Sequence, residues 1–215
     1  MPPTAMTTMH TLSPAPQVAP EAEPLLHTLA LALQDDPFYR AVTVDHAPTP
    51  ERRAQCLREY FRPALAEAAE VGRLDTIGTD AAALWITAHS PHRLADASAR
   101  KLAVLRACLG PAGWRNYEAI VDSMEQQVPQ TLPAGSWYLS ILGVNPTVQG
   151  GGLGARVMAP ALAAADAAQV HCYIETYNAR SVPFYARQGF TEWHEGFEPV
   201  TQSVYWTMVR APRRG

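Results

Sequence analysis

Lysine is almost absent from this chain: Lys101 is the only one, and the remaining basic side chains are arginines, a compositional bias from which nothing functional follows. Charge of either sign is scarce, at 17% of residues with a net charge of −3 and a pI near 6.1. No strong field is therefore expected to recruit nucleic acid or an anionic membrane. Cysteine is limited to Cys56, Cys108 and Cys172, 52 and 64 positions apart, which fits neither a disulfide framework nor the CxxC spacing of a metal knuckle. No Lys or Arg precedes Arg40, so the basic stretch of a secretory signal and the arginines of a transit peptide are both missing. Every apolar run is cut well short of the roughly 18 residues that a membrane helix requires, as where Arg106 divides AVLRACL. The histidines show no HExxH or other ligand spacing, so no metal is expected. These absences point to a reduced, cytoplasmic protein.

What is present is ordinary globular material: 215 residues, 47% of them apolar, enough to bury one α/β core. Residues 1–20 contain five prolines and no helical or strand period, and read as a flexible tail ahead of a single domain over 21–215. From Pro24, Leu25, Leu26, Leu29 and Leu33 fall on one helical face, and Asp35-Asp36-Pro37 ends that helix before a short loop with Phe38 and Tyr39. Thr49-Pro50-Glu51 opens a second helix with a capping hydroxyl, which Pro63 is expected to bend or split. Residues 72–79 and 81–88 read as a strand hairpin, and 96–109 and 114–127 as two helices separated by Gly110-Pro111. Residues 137–144 are the best strand in the chain. A glycine-rich turn, a helix over 152–168, a strand over 170–175, a helix over 179–188 and strands over 190–197 and 203–210 complete the order. A mixed sheet with helices on both faces follows.

The chemically informative stretch is Leu142-Gly-Val-Asn-Pro-Thr-Val-Gln-Gly-Gly-Gly-Leu-Gly-Ala155. A strand ends, the chain turns at Pro146, and a helix begins through four glycines. Glycines let backbone N–H groups approach a ligand, and N–H groups converging on a helix N-terminus suit a pyrophosphate. A P-loop is excluded because no Lys-Ser/Thr follows the glycines. A dinucleotide fingerprint is matched by Gly150, Gly152 and Ala155, with Glu175 20 residues further on. Against it, residues 145–149 separate strand from glycines, and only 60 residues remain after Ala155 to complete such a sheet.

The same segment resembles motif A of the GNAT acetyltransferase superfamily, Q/R-x-x-G-x-G/A, through Gln149, Gly152 and Gly154. Residues 174–190, IETYNARSVPFYARQGF, resemble that family's motif B, and weaker similarity to its antibiotic-resistance-like members extends upstream to about residue 24. The resemblance implies an α/β (α+β) GNAT fold, with a mostly antiparallel mixed sheet and helices on both faces. It also implies acetyl transfer from acetyl-CoA to the primary amine of a small molecule. Where relatives carry Asn in motif B this chain has Ser181, whose hydroxyl differs from an amide in reach and donors.

On that resemblance, the backbone of Leu142, Gly143 and Val144 pairs with the pantetheine arm, with Ser181 nearby, and the Val144 N–H polarises the acetyl carbonyl. The N–H groups of Gln149, Gly150, Gly151, Gly152, Leu153, Gly154 and Ala155 hold the pyrophosphate. Tyr185 matches the family's acid, which protonates the departing thiolate. No acid lies on the 137–144 strand, so Glu175 is the candidate base, directly or through a water. Its alternative role is structural, capping the 179–188 helix or pairing with an arginine. His89 is a weaker relay candidate. Phe38, Tyr39 and Trp85 are expected to line the acceptor pocket, whose aromatic rim favours a small apolar or aromatic amine over a polycation. Acetylation of a peptide amine and a non-catalytic CoA-binding module are the alternatives. Monomer and homodimer both stay open.

Overall fold

The protein is described here by a computed structural model over residues 22–213, apart from 88, 89, 127 and 129–131. The expected tail and His89 lie outside the described residues. Leucines at helical spacing make α1 (Glu23–Leu33), burying Leu25, Leu26 and Leu29. The loop expected after it is instead a short helix, α2 (Pro37–Val42), because the Asp36 side chain accepts a hydrogen bond from the Phe38 N–H at 2.9 Å and Pro37 is already set in helical φ. Next, α3 (Pro50–Val71) runs unbroken through Pro63, which neither ends nor splits it. Its buried face of Leu57, Tyr60, Phe61, Ala64, Leu65 and Ala68 holds it through the missing hydrogen bond. Thr49 precedes it in extended conformation, but its hydroxyl caps nothing.

The expected hairpin is β1 (Gly72–Ile77) and β2 (Ala81–Ile86). Then α4 (Pro91–Cys108) and α5 (Gly110–Glu125) begin earlier than their sequence patterns suggested. At α5 the cause is tertiary. Asp45, far back in the chain, accepts from the N–H groups of Ala112 and Gly113 at 2.7 and 3.0 Å, so a distant carboxylate caps the helix. The rest follows as β3 (Trp137–Val144), α6 (Leu153–Ala168), β4 (Cys172–Thr176), a 3₁₀ turn at Ala179–Ser181, α7 (Val182–Arg187), β5 (Glu192–Glu198) and β6 (Ser203–Arg210).

The strands form one sheet in the order β1-β2-β3-β4-β6-β5. All neighbours are antiparallel except β3 and β4. One core layer lies between the sheet and α1, α3, α4 and α5; the other lies between the sheet and α6 and α7. Ile141 opposes Leu84 whereas Leu139 opposes Trp85, so Ser140 is an extra residue in β3, its hydroxyl donating to the Leu84 carbonyl at 3.1 Å. This bulge switches the faces. Trp137 and Leu139 pack toward α6, Ile141 packs toward α1, and Leu142 and Val144 return to the α6 side.

The α6 layer is closed by a buried ion pair. Arg210, only 2% exposed, holds both carboxylate oxygens of Asp166 at 2.7 Å and donates to the Gln188 carbonyl, joining β6, α6 and the end of α7. The Arg210 hydrogen bonds keep the Asp166 carboxyl below the usual carboxylate range. Removing the acid strands a buried guanidinium, so Asp166→Ala should lower unfolding stability by about 3 kcal/mol at pH 7 in urea titrations. Because the pKa is depressed, wild type should lose this advantage as pH falls through the carboxylate range.

Candidate active site

β3 and β4 pair at only three positions, ending at Leu139 opposite Ile174. Beyond the Ser140 bulge, β3 continues to Val144 with a ladder partner only on its β2 side, while Glu175 and Thr176 of β4 pair only with β6. A wedge with free backbone on its β3 side therefore opens in the middle of the sheet. Leu142, Gly143 and Val144 form that side. Gly143 also has a packing reason to lack a side chain, since a Cβ there would lie 2.5 Å from Leu29 Cδ2 of α1.

At the mouth of the wedge the chain turns through a 3₁₀ segment at Pro146–Val148, whose start Asn145 caps by accepting from the Thr147 N–H. Gln149 donates its side-chain amide to the Val144 carbonyl at 3.0 Å, folding the loop back on β3. Gly150 and Gly152 adopt φ of +86° and +77°, conformations that disfavour any side chain, and a Cβ on either would meet nothing within 4 Å. The turn is thus open above the N-terminus of α6, where the first N–H groups have no partner within the helix. Gly154 is different: a Cβ there would press on the Phe184 ring of α7 at 3.2 Å. Ser181 immediately precedes α7, and its hydroxyl caps no backbone group.

Side-chain alternation sends Cys172 and Ile174 of β4 into the α6 layer and leaves Tyr173 and Glu175 on the opposite face. Glu175 neither caps α7 nor pairs with an arginine. It accepts from the Tyr138 hydroxyl through Oε2 at 3.1 Å, while Oε1 is buried with no hydrogen-bond partner. Tyr138 stacks on Tyr173 at 4.7 Å, and Tyr177 and Tyr205 lie at 5.5 Å from one another, the Tyr205 hydroxyl also buried without a partner. Desolvation by these rings, opposed by the Tyr138 hydrogen bond, pushes the Glu175 carboxyl up to about 7.

Tyr185 sits on α7 in the other layer, 9% exposed, edge-on to Phe184 and Phe190. Burial and the charge of Asp36 keep its phenol protonated far above neutrality. Phe38 and Tyr39 belong to an aromatic cluster with Tyr60, Phe61 and Tyr117 under α2, Tyr39 buried and Phe38 half-buried. Trp85 corrects an expectation: it is fully buried in the α6 layer, on the face of the sheet away from Phe38 and Tyr39, so it is a core residue and not a wall of that side. An open pocket of about 790 Å³ flanks the outer side of α2, lined by Asp35, Arg40, Arg53, Thr201 and Ser203 among others. It includes neither Glu175 nor Tyr185.

Sequence reasoning used Asp36 only as a helix stop. In the fold it is a half-buried carboxyl pushed up to about 6 by desolvation, against the hydrogen bond it takes from the Phe38 N–H. Its charge raises both Tyr177 and Tyr185. The Asp-Pro pair is the usual mark of a helix start, and that signal was available. Ser140 was not marked by anything in the sequence.

Residues 90–190 match the sequence model of the acetyltransferase (GNAT) family. Three solved structures share the fold at low identity. One, from Corynebacterium glutamicum ATCC 13032, is described as histone acetyltransferase HPA2 and related acetyltransferase; it has TM-score 0.58 and 20% identity over 92% of this chain and 95% of that one. The Drosophila melanogaster polyamine N-acetyltransferase, described as catalysing formation of N-acetylagmatine, has TM-score 0.57 and 19% identity over 89% and 95%. A mutant agmatine N-acetyltransferase in its apo form has TM-score 0.54 and 18% identity over 91% and 97%. The matched segment and the shared fold make the chain similar to acetyltransferases of the GNAT type. Among the described residues no helix is long and apolar enough to cross a membrane.

The raised carboxyl of Glu175 sets a stability test. Its pKa in the folded state exceeds the unfolded value of 4.5, so folding is favoured by this group below that value and loses the contribution as pH rises through about 7. Glu175→Gln should therefore be more stable than wild type at pH 8, by up to about 3 kcal/mol, and equal to it near pH 4 in chemical denaturation.

Proposed function

We propose that this chain transfers the acetyl group of acetyl-CoA to the primary amine of a small molecule, directly, in a ternary complex. The observation that carries the reading is the wedge opened at Ser140. It leaves β3 backbone without a strand partner on the β4 side; Glu175, with one carboxyl oxygen short of a partner among the described residues, lies on one face of the sheet, and Tyr185 lies in the layer behind the other. The backbone of Leu142, Gly143 and Val144 would hold the pantetheine arm, with Ser181 nearby on the α7 side. The amides from Gln149 to Ala155 would hold the pyrophosphate, where the two left-handed glycines leave the approach clear. Bound there, acetyl-CoA supplies an activated acyl group.

The chain's own residues then have two tasks. An amine attacks only when neutral, and Glu175, half ionised near pH 7, is matched to accept its proton. Tyr185, held protonated, is matched to donate to the leaving sulfur. For the acceptor, Phe38 and Tyr39 favour a compact apolar or aromatic amine. A cationic acceptor is the second reading, favoured by the half-buried, desolvated carboxyls of Asp36 and Glu175 and by the activities named for the polyamine and agmatine enzymes of similar fold.

The test is free-thiol release from acetyl-CoA across puromycin, arylalkylamines, polyamines, agmatine, aminoglycosides and a lysine peptide. Turnover is expected with at least one small amine, and kcat should fall about 10²-fold in Tyr185→Phe and in Glu175→Gln. For wild type, kcat/KM should rise with pH through an apparent pKa of about 7, and Glu175→Gln should lose that limb. Calorimetric binding of acetyl-CoA with no turnover on any amine would favour a non-catalytic CoA-binding module, and turnover on the peptide alone a peptide acetyltransferase.

A further inference from the structure

Two cysteines that the sequence separates by 52 positions meet behind α2. Cys56 lies on the buried face of α3 and is 3% exposed; Cys108 is the last residue of α4 and is partly exposed. The Cys56 thiol donates to the Cys108 carbonyl at 3.4 Å, and the Cys108 thiol donates to the Leu105 carbonyl at 3.6 Å. The same carbonyl accepts from His46 Nε2 at 2.8 Å, so the pair sits directly under the 3₁₀ turn at Val44–His46 that follows α2. Cys172 stands apart, fully buried in the α6 layer across the sheet.

We propose that Cys56 and Cys108 form an oxidisable dithiol that closes to a disulfide with hydrogen peroxide. Cys108 is the residue that reacts first, since it alone of the three cysteines reaches solvent. Its thiolate attacks one peroxide oxygen, forming an S–O bond as the O–O bond breaks, and the departing hydroxide takes a proton to become water. Cys56 sulfur then attacks the sulfenic acid of Cys108. The S–S bond forms, the S–O bond breaks, and the leaving hydroxide takes the Cys56 proton as a second water. Two thiols lose two electrons and one peroxide gains them. The adjoining Cys56 thiol also lowers the Cys108 thiol, opposing the effect of burial, in the direction that favours attack by Cys108. The new bond would tie α3 to the α4–α5 corner, which Asp45 and His46 already clamp to the acceptor-side segment.

The test is peptide mapping of the full-length protein after peroxide treatment, alkylation during unfolding, and tryptic digestion without reductant. Residues 54–58 and 107–115 should appear as one cross-linked species, with two of the three thiols lost and both restored by dithiothreitol. The 157–180 peptide, carrying Cys172, should be fully alkylated. In Cys56→Ser the cross-link should vanish and dimedone should label Cys108. The proposal is overturned if Cys108 oxidises to the sulfinic acid while Cys56 is recovered alkylated, if Cys172 is lost first, or if the cross-link joins two chains. Because the readout needs no turnover, its failure is distinguishable from failure of the acetyltransferase reading.

Discussion

One extra residue in one strand governs the rest of this structure. Up to Leu139, β3 is hydrogen-bonded to both neighbours; at Ser140 the register against β2 slips, the strand changes which side chains it shows to each layer, and its contact with β4 ends. A bulge bends its strand and increases local twist, so the two parallel strands diverge from this point. The sheet is thereby left with an opening in its middle, not only at its edges. Backbone there has no strand partner on the β4 side among the described residues, and only the Val144 carbonyl is met by a side chain, the Gln149 amide.

The wedge gives meaning to groups that would otherwise be unrelated. Glu175 and Tyr185 belong to different core layers, one on a strand face toward α5 and one on a helix toward the opposite face. Burial raises Tyr185, and the charge of Asp36, on the α1–α2 connection, adds to it. The environments push the titrating groups in useful directions by one physical means, desolvation. It raises two carboxyls toward neutrality and keeps the phenols protonated. Such carboxyls are unfavourable for folding at neutral pH. Ion pairs such as Arg210–Asp166, far from the wedge, stabilise the frame that holds them.

Strand and helix periods, and the proline and glycine marks between them, made the element order legible, and β3 in particular has the bounds its pattern predicted. The glycine turn was legible too, because positive φ at a helix start leaves glycine as the residue of choice. The misses share a cause. The helical turn of α2, the early start of α5 and the burial of Trp85 are each decided by a partner distant in the chain: the packing of the aromatic cluster, the Asp45 carboxylate, and the parity of β2 against α6.

Local chemistry thus determined which segments form helices and strands and where the glycine turn lies, since each depends on neighbours within a few positions. Tertiary structure decided that Ser140 would be extra, that Glu175 would be desolvated and short of one partner among the described residues, that the Asp36 carboxyl would be desolvated, and that Cys56 would touch Cys108. Register, burial and desolvation are properties of a packed assembly. No single stretch of the chain contains the neighbours that create them.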